Sequence, residues 1–195
     1  MHPYSTDLDE RRPTLFVLVL FSIVAAWMLS KGVAALGKTI PWWADAPSIW
    51  GFYGIFYWVV DRWGWRGISR LPNLNGTWRG YMTSSFDEHA ERHAITMRIQ
   101  QTWTKLRVTL EADRSRSHSV LGGILTSSLP GPELAYEYVN EPRADAAAGM
   151  HAHHGIVRAQ IRGDVLDGDY YTGRDRASNG VLRVERVRSA RSRDL

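Results

Sequence analysis

The sequence predicts a chain in two parts. An N-terminal pair of transmembrane α-helices leads into an all-β domain, an eight-stranded antiparallel up-and-down barrel. Three observations carry this expectation. No residue from Thr14 to Ser30 is charged, and a second apolar, aromatic-rich segment runs from Pro47 to Val60. From Leu71 onward the hydrophobic pattern switches to period two in eight short stretches. Between these regimes lies Leu74-Asn75-Gly76-Thr77-Trp78-Arg79-Gly80. There Gly76 lets the chain bend tightly as it enters a strand, and Trp78 swings inward to plug a barrel floor. The expected division is residues 1–70 as anchor and 71–195 as a lipocalin-like barrel.

The 195 residues hold one ordinary domain plus something small. The absence of cysteine excludes disulfides, thiolate metal sites and thiol nucleophiles together. The net charge of +4 divides evenly at Arg70, with 7 basic and 5 acidic residues before it and 17 and 15 after. Neither part is basic enough for a nonspecific binder of DNA or RNA polymers.

Taken in order, Arg11-Arg12-Pro13 precedes the first apolar run, which continues through Lys31 to Leu36. That is long enough to cross a hydrocarbon core of roughly 30 Å. A cleaved signal peptide is the rival reading, but the run is long for one and a second apolar segment follows closely. The intervening Pro41-Trp42-Trp43 suits a membrane–water boundary. Arg11 and Arg12 flank one end of the pair and Arg62, Arg66 and Arg70 the other, with only Lys31 and Lys38 between. Basic residues favour the cytoplasm, so a two-span hairpin with both termini and the barrel inside is expected. Ser22, Ala26, Ser30 and Ala34 recur every four residues, a small-residue stripe that lets helices approach closely in lipid. It serves either the hairpin itself or self-association between chains through Ser22, Ala26 and Ser30.

The eight expected strands are Thr77–Ser85, His93–Trp103, Lys105–Ala112, Ser117–Thr126, Glu133–Asn140, His153–Ile161, Val165–Thr172 and Gly180–Val187. Period two assigns inward rows such as Trp78, Gly80 and Met82; Ile95, Met97, Ile99 and Gln101; and Leu134, Tyr136, Tyr138 and Asn140. The fourth strand, with Gly122-Gly123, phases poorly. The rows are apolar towards one end (Trp78, Leu106, Leu166, Leu182) and polar or aromatic in Ser84, Gln101, Tyr138, Asn140, Thr172 and Arg174. Hydroxyls, aromatic faces and a guanidinium describe a pocket for a planar anionic ligand. Tyr138 would stack a base, Thr172 would hydrogen-bond it or a phosphate, and Arg174 would hold a phosphate. Ser84, Gln101, Tyr136 and Asn140 are further candidates. The same residues would also suit a filled barrel whose side chains bond one another, and the sequence leaves that alternative open.

Other signals carry less. Met150-His151-Ala152-His153-His154 has alternating histidines but no companion cysteine or carboxylate, so no metal is expected. Asp164 falls in a turn, and Asp167 and Asp169 fall on the solvent phase. No glycine-rich phosphate loop, serine elbow or zinc helix occurs, nothing sets a nucleophile beside a base, and the chain reads as no enzyme and without a cofactor. The tail with Arg186, Arg188, Arg191 and Arg193 reads as a solvated end.

Two apolar segments followed by Leu74, Gly76, Trp78, Gly80, Ser84, Ser85, Phe86 and Asp87 resemble the two-transmembrane β-barrel effectors of the bacterial anti-phage systems called CBASS. The block from Leu166 to Arg174 and Ser178-Asn179-Gly180 extend the likeness. One departure is Phe86, where a tyrosine is expected. The resemblance implies that the barrel binds a cyclic dinucleotide made by a partner CD-NTase. The helices would then oligomerise and disrupt the inner membrane, giving abortive infection. The rivals are a membrane-tethered, lipocalin-like carrier of an apolar molecule and a structural envelope module.

Overall fold

A computed structural model describes residues 1–39, 41, 44–113, 115–142, 152–173 and 178–188. It divides into two compact units, Leu8–Arg70 and Met1–Asp7 with Leu71–Leu195.

In the helical unit, α1 spans Arg11–Ala35, 25 residues with no charge between Arg12 and Lys31. At 1.5 Å per residue it is about 37 Å long. It is the one described helix long and apolar enough to cross a membrane. The second, α2 (Asp45–Val59), has 15 residues, about 22 Å, short of a hydrocarbon core. It continues through a π turn, Val60–Gly64, into the short α3, Trp65–Ile68, and the turn carries Asp61 and Arg62. The expected pair of spanning helices is thus reduced to one that meets the length requirement. α1 packs on α2, and its buried residues Leu18, Ser22 and Ala26 form one stripe. The Ser22 hydroxyl donates to the Leu18 carbonyl at 2.6 Å. Ser30 is half-buried and Ala34 exposed, so only the first half of the small-residue stripe is enclosed.

The other unit is the expected barrel. Its strands are β3 (Gly76–Met82), β4 (His93–Gln101), β5 (Lys105–Ala112), β6 (Ser115–Leu125), β7 (Glu133–Pro142), β8 (His153–Arg162), β9 (Val165–Thr172) and β10 (Asn179–Arg186). Each pairs antiparallel with the next, and β10 returns to pair with β3. Gly76 opens β3 at φ +136°, backbone that a side chain disfavours. Trp78, two residues on, is fully buried. The poor phasing of β6 has a physical cause: a bulge between Ser119 and Leu121 shifts the register. Ser117 and Ser119 face inward on one side of it, and Gly122 and Ile124 on the other, opposite Tyr136 and Leu134.

Met1–Asp7, which the sequence reading leaves with the anchor, pairs with the barrel wall. β1 (His2–Pro3) lies antiparallel to Leu106 and Lys105 of β5. β2 (Ser5–Thr6) lies parallel to Gly123 and Ile124 of β6. β5 and β6 pair directly only from Thr109–Ala112 to Ser115–His118, so the N-terminal strands line the seam below that point. Tyr4 between them is buried. The Asp7 carboxylate closes the arrangement by accepting from the Thr126 N–H (2.8 Å), the Ser127 N–H (2.7 Å) and both residues' hydroxyls.

Two predictions follow from this packing. A Cβ on Gly168 would sit 2.0 Å from the Arg158 carbonyl oxygen of the neighbouring strand. Gly168→Ala is expected to destabilise the barrel by about 1–3 kcal/mol in urea unfolding. Gly131→Ala, whose added Cβ meets nothing within 4 Å, is the matched control. Equal midpoints for the two would contradict the close approach. The hydrogen bonds to Asp7, led by that from the Ser127 hydroxyl, hold its carboxyl well below the ordinary value of 3.8. A lowered carboxyl stabilises the fold above its unfolded pKa and loses that contribution as pH falls through the folded one. Asp7→Asn should therefore lower the thermal midpoint at neutral pH. Its gap from the unsubstituted protein should close as pH drops below 3.8.

Candidate functional site

An up-and-down barrel alternates strand direction, so the two ends of its lumen collect residues from opposite ends of successive strands. At one end, the floor, lie Leu74, Trp78, Gln101, Trp103, Leu106, Leu134 and Leu166, each buried almost completely. Leu74 donates its N–H to the Gln101 side-chain oxygen at 2.8 Å and accepts the Trp78 indole N–H at 3.0 Å. The Gln101 amide nitrogen donates to the Pro72 carbonyl at 3.2 Å. Gln101 is therefore part of the floor and is removed from the polar candidates. β4 runs towards the floor, so its last inward residue lies there, whereas the last of β7 lies at the mouth.

At the mouth the lumen turns polar in two cross-strand rows. Ser119, Tyr138, Gly155 and Thr172 stand opposite one another across β6, β7, β8 and β9. One step further out, Ser117, Asn140 and His153 form a second row. Ser117, Ser119, Tyr138, Asn140 and His153 are all buried. A Cβ at Gly155 would fall 2.4 Å from the Tyr138 ring, so the glycine leaves room for the phenol to lie across the lumen. The Tyr138 and His153 rings meet edge to face at 6.5 Å, and Tyr136 lies below with its ring 6.4 Å from that of Tyr138. Burial drives the Tyr136 hydroxyl far above its ordinary pKa, so it stays a neutral donor.

The structure thus brings Tyr136, Tyr138, Asn140 and Thr172 together and separates Gln101 from them. The Thr172 hydroxyl donates to the Ser178 carbonyl at 3.0 Å and accepts the Ser178 N–H at 2.8 Å, clamping the base of the β9–β10 loop. Arg174, in that loop, lies outside the described residues. Ser84 lies in the β3–β4 loop, where its hydroxyl accepts the Phe86 N–H at 3.2 Å. It thereby caps the short 3₁₀ turn Ser85–Asp87. Phe86 on that turn is 77% exposed, an aromatic face at the rim.

Ser117, Ser119 and His153 join the candidate site, though the sequence reading names neither serine as a binding residue and takes His153 only as part of a histidine run. Extending the β8 phase back from Val157 through Gly155 would have found His153, whereas the β6 bulge hid the two serines. His153 and His154 occupy opposite phases: His153 is buried inside, and His154 Nδ1 lies 3.4 Å from Glu137 on the outer wall. His151 lies outside the described residues. Asp87, Glu91 and His93 bring ligand-type atoms within 4.8 Å of one another in the β3–β4 region. Within that group His93 Nε2 is 2.8 Å from Asp87, whose carboxyl this contact holds below its ordinary pKa.

An open hollow of about 460 Å³ on the outer wall is lined by Glu133, Arg158, Gln160, Arg162, Asp167 and Asp169. Three of its charged groups are engaged within the wall, Arg158 with Glu133 at 2.6 Å and Asp167 with Arg183 at 3.3 Å. The mouth, not this hollow, gathers hydroxyl, amide, imidazole and phenol groups in one place.

Residues 69–186, which hold the eight strands β3 to β10, match the family model described as Cap15, cyclic dinucleotide receptor domain. The chain belongs to the Cap15 receptor-domain family. A curated relative, CD-NTase-associated protein 15 of Yersinia aleksiciae, is 30% identical over 124 residues. That match covers 62% of this chain and 58% of the relative. The resemblance to CBASS effectors drawn from Gly76, Trp78 and the Leu166–Arg174 block is borne out. The Cap15 domain coincides with the strands β3 to β10 that carry both the filled floor and the polar mouth.

Proposed function

We propose that this chain is a membrane-anchored CBASS effector whose barrel mouth binds a cyclic dinucleotide made by a CD-NTase. The observation that carries the reading is the coincidence of the Cap15 match with a lumen whose mouth is built from buried polar and aromatic rows. Tyr138 and Phe86 offer faces to the bases, and Asn140, His153 and Ser117 offer hydrogen-bond groups for base edges. Arg174, on the loop clamped by Thr172 and Ser178, supplies the cation for a phosphate. Tyr136 supports Tyr138 from below, and Ser84 shapes the loop bearing Phe86. A mouth lined by hydroxyl, amide, imidazole and phenol groups gives an apolar cargo little apolar surface to bury against, which weighs against a lipid carrier.

α1 is the membrane span in this reading. The run from α2 through the π turn crosses back, with Asp61 and Arg62 near its cytoplasmic end, so both termini and the barrel lie inside. Ligand binding drives self-association in the inner membrane and loss of its integrity, which ends phage production with the host cell. Ser22 and Ala26 already serve packing within the chain. Ser30, half-buried, extends that stripe as the contact between chains.

Calorimetric titration of the full chain with a panel of cyclic di- and trinucleotides tests the proposal. One cyclic dinucleotide is expected to bind, and Arg174→Ala should weaken it by about tenfold or more, the loss of a charged hydrogen bond. Asn140→Ala and His153→Ala should also weaken binding, whereas Gln101→Glu should act on stability rather than affinity. Failure of every nucleotide to bind the unsubstituted chain would overturn the assignment.

A further inference from the structure

Residues Met1–Asp7 join the barrel wall through two strands of two residues each and lead directly into α1. Below the Thr109–His118 pair the seam between β5 and β6 is lined by two strands of two residues each, β1 and β2. Such short pairings open at far lower cost than the long ladders elsewhere in the barrel. Gly123 accommodates the segment: a Cβ there would meet Ser5 Oγ at 2.7 Å, whereas one on Gly122 would press first on Ala135 and Tyr136 of β7, at 3.2 Å.

The two ends of the segment touch different regions. His2 Nε2 lies 2.7 Å from the Ser119 hydroxyl. Ser119 also accepts the Val108 N–H at 2.9 Å and stands in the same cross-strand row as Tyr138 and Thr172. At the other end Asp7 grips the β6–β7 turn through Thr126 and Ser127. Only Leu8, Asp9 and Glu10 then separate it from the first residue of α1, Arg11. The Glu10 carboxylate accepts from the Ser69 hydroxyl and from the Arg70 N–H at 3.3 Å, tying the head of α1 to the segment that leads on to the barrel.

We infer that Met1–Asp7 is a latch: docked in the β5–β6 seam it holds α1 in a resting state, and its release from the seam is the step that converts an event at the mouth into a change in the helices. The inference rests on the proposed receptor function. A ligand that displaces Tyr138 or Ser119 acts on the His2 contact, and the bulge after Ser119 is where β6 can change register. The two-state element is the seam strand, in or out, as in other order–disorder switches.

An engineered cross-link tests the latch. The chain has no cysteine, so Ser5→Cys with Gly123→Cys introduces a single pair. The 2.7 Å separation of Ser5 Oγ from a Cβ at 123 is close to the roughly 3 Å that a disulfide sets between those positions. The full-length variant is reconstituted in anionic lipid vesicles holding a fluorophore. Cyclic dinucleotides covering guanine, adenine and uracil are each added alone, and binding is measured beside leakage. The oxidised form is expected to bind as the reduced form does but to leak about tenfold less, with reductant restoring the response. Equal leakage from both forms overturns the latch and leaves the receptor assignment standing. If no cyclic dinucleotide binds the unsubstituted chain, the receptor assignment falls and Asp7→Asn, which weakens the grip on the β6–β7 turn, decides the latch. Nucleotide-free leakage that rises several-fold upholds it, and leakage that stays at the unsubstituted level overturns it. The same Asp7→Asn comparison decides the case if the cysteine pair does not fold.

Discussion

Leu74 is held on both sides of its peptide, by the Gln101 amide at its N–H and by the Trp78 indole at its carbonyl. These bonds fix the chain where it enters the barrel and turn the largest side chain of β3 across the lumen. An eight-stranded barrel encloses little more than the volume of its own side chains, so a ligand cup at one end requires dense filling at the other. Trp78, Trp103 and the surrounding leucines supply that filling, and Arg186 lies over the Trp78 ring at 4.5 Å. With apolar burial concentrated at the floor, the mouth is able to carry serines, an asparagine and a histidine.

Most of the barrel was legible because period two is strong in strands with one buried face and one wet face. Lys105–Ala112 and Val165–Thr172 were bounded correctly, and the other strands to within a few residues. What escaped has identifiable causes. Gln101 was placed among the mouth residues because the alternation of an inward row says nothing of strand direction, and β4 runs to the floor. Ser117 and Ser119 were hidden by a bulge that breaks the phase of β6. The seam strands β1 and β2 are two residues long, too short for any periodicity to register. Their one trace in the sequence is the glycine pair of the poorly phased β6, where Gly123 leaves room for Ser5. The segment read as Pro47–Val60 is longer than its composition marks: α2 alone is shorter than a bilayer core, and the helical run continues through the π turn to Ile68.

The arrangement also constrains how a signal could leave the barrel. The polar rows lie at the mouth, whereas both connections to the helices, after Asp7 and before Leu71, emerge near the floor. The filled lumen between them is poorly suited to transmission, since close-packed side chains resist small displacements. The wall offers one alternative route, the strand β6. It carries Ser117 and Ser119 of the site rows, then the bulge, then the glycine pair that receives Ser5, and it ends at the turn gripped by Asp7. Among the described strands, β6 alone both contributes to the site rows and pairs with the segment leading into α1. A register change at its bulge would alter both ends without disturbing the floor. Partition of the domain into a rigid plug and one adjustable stave would let a small barrel answer a ligand while remaining folded.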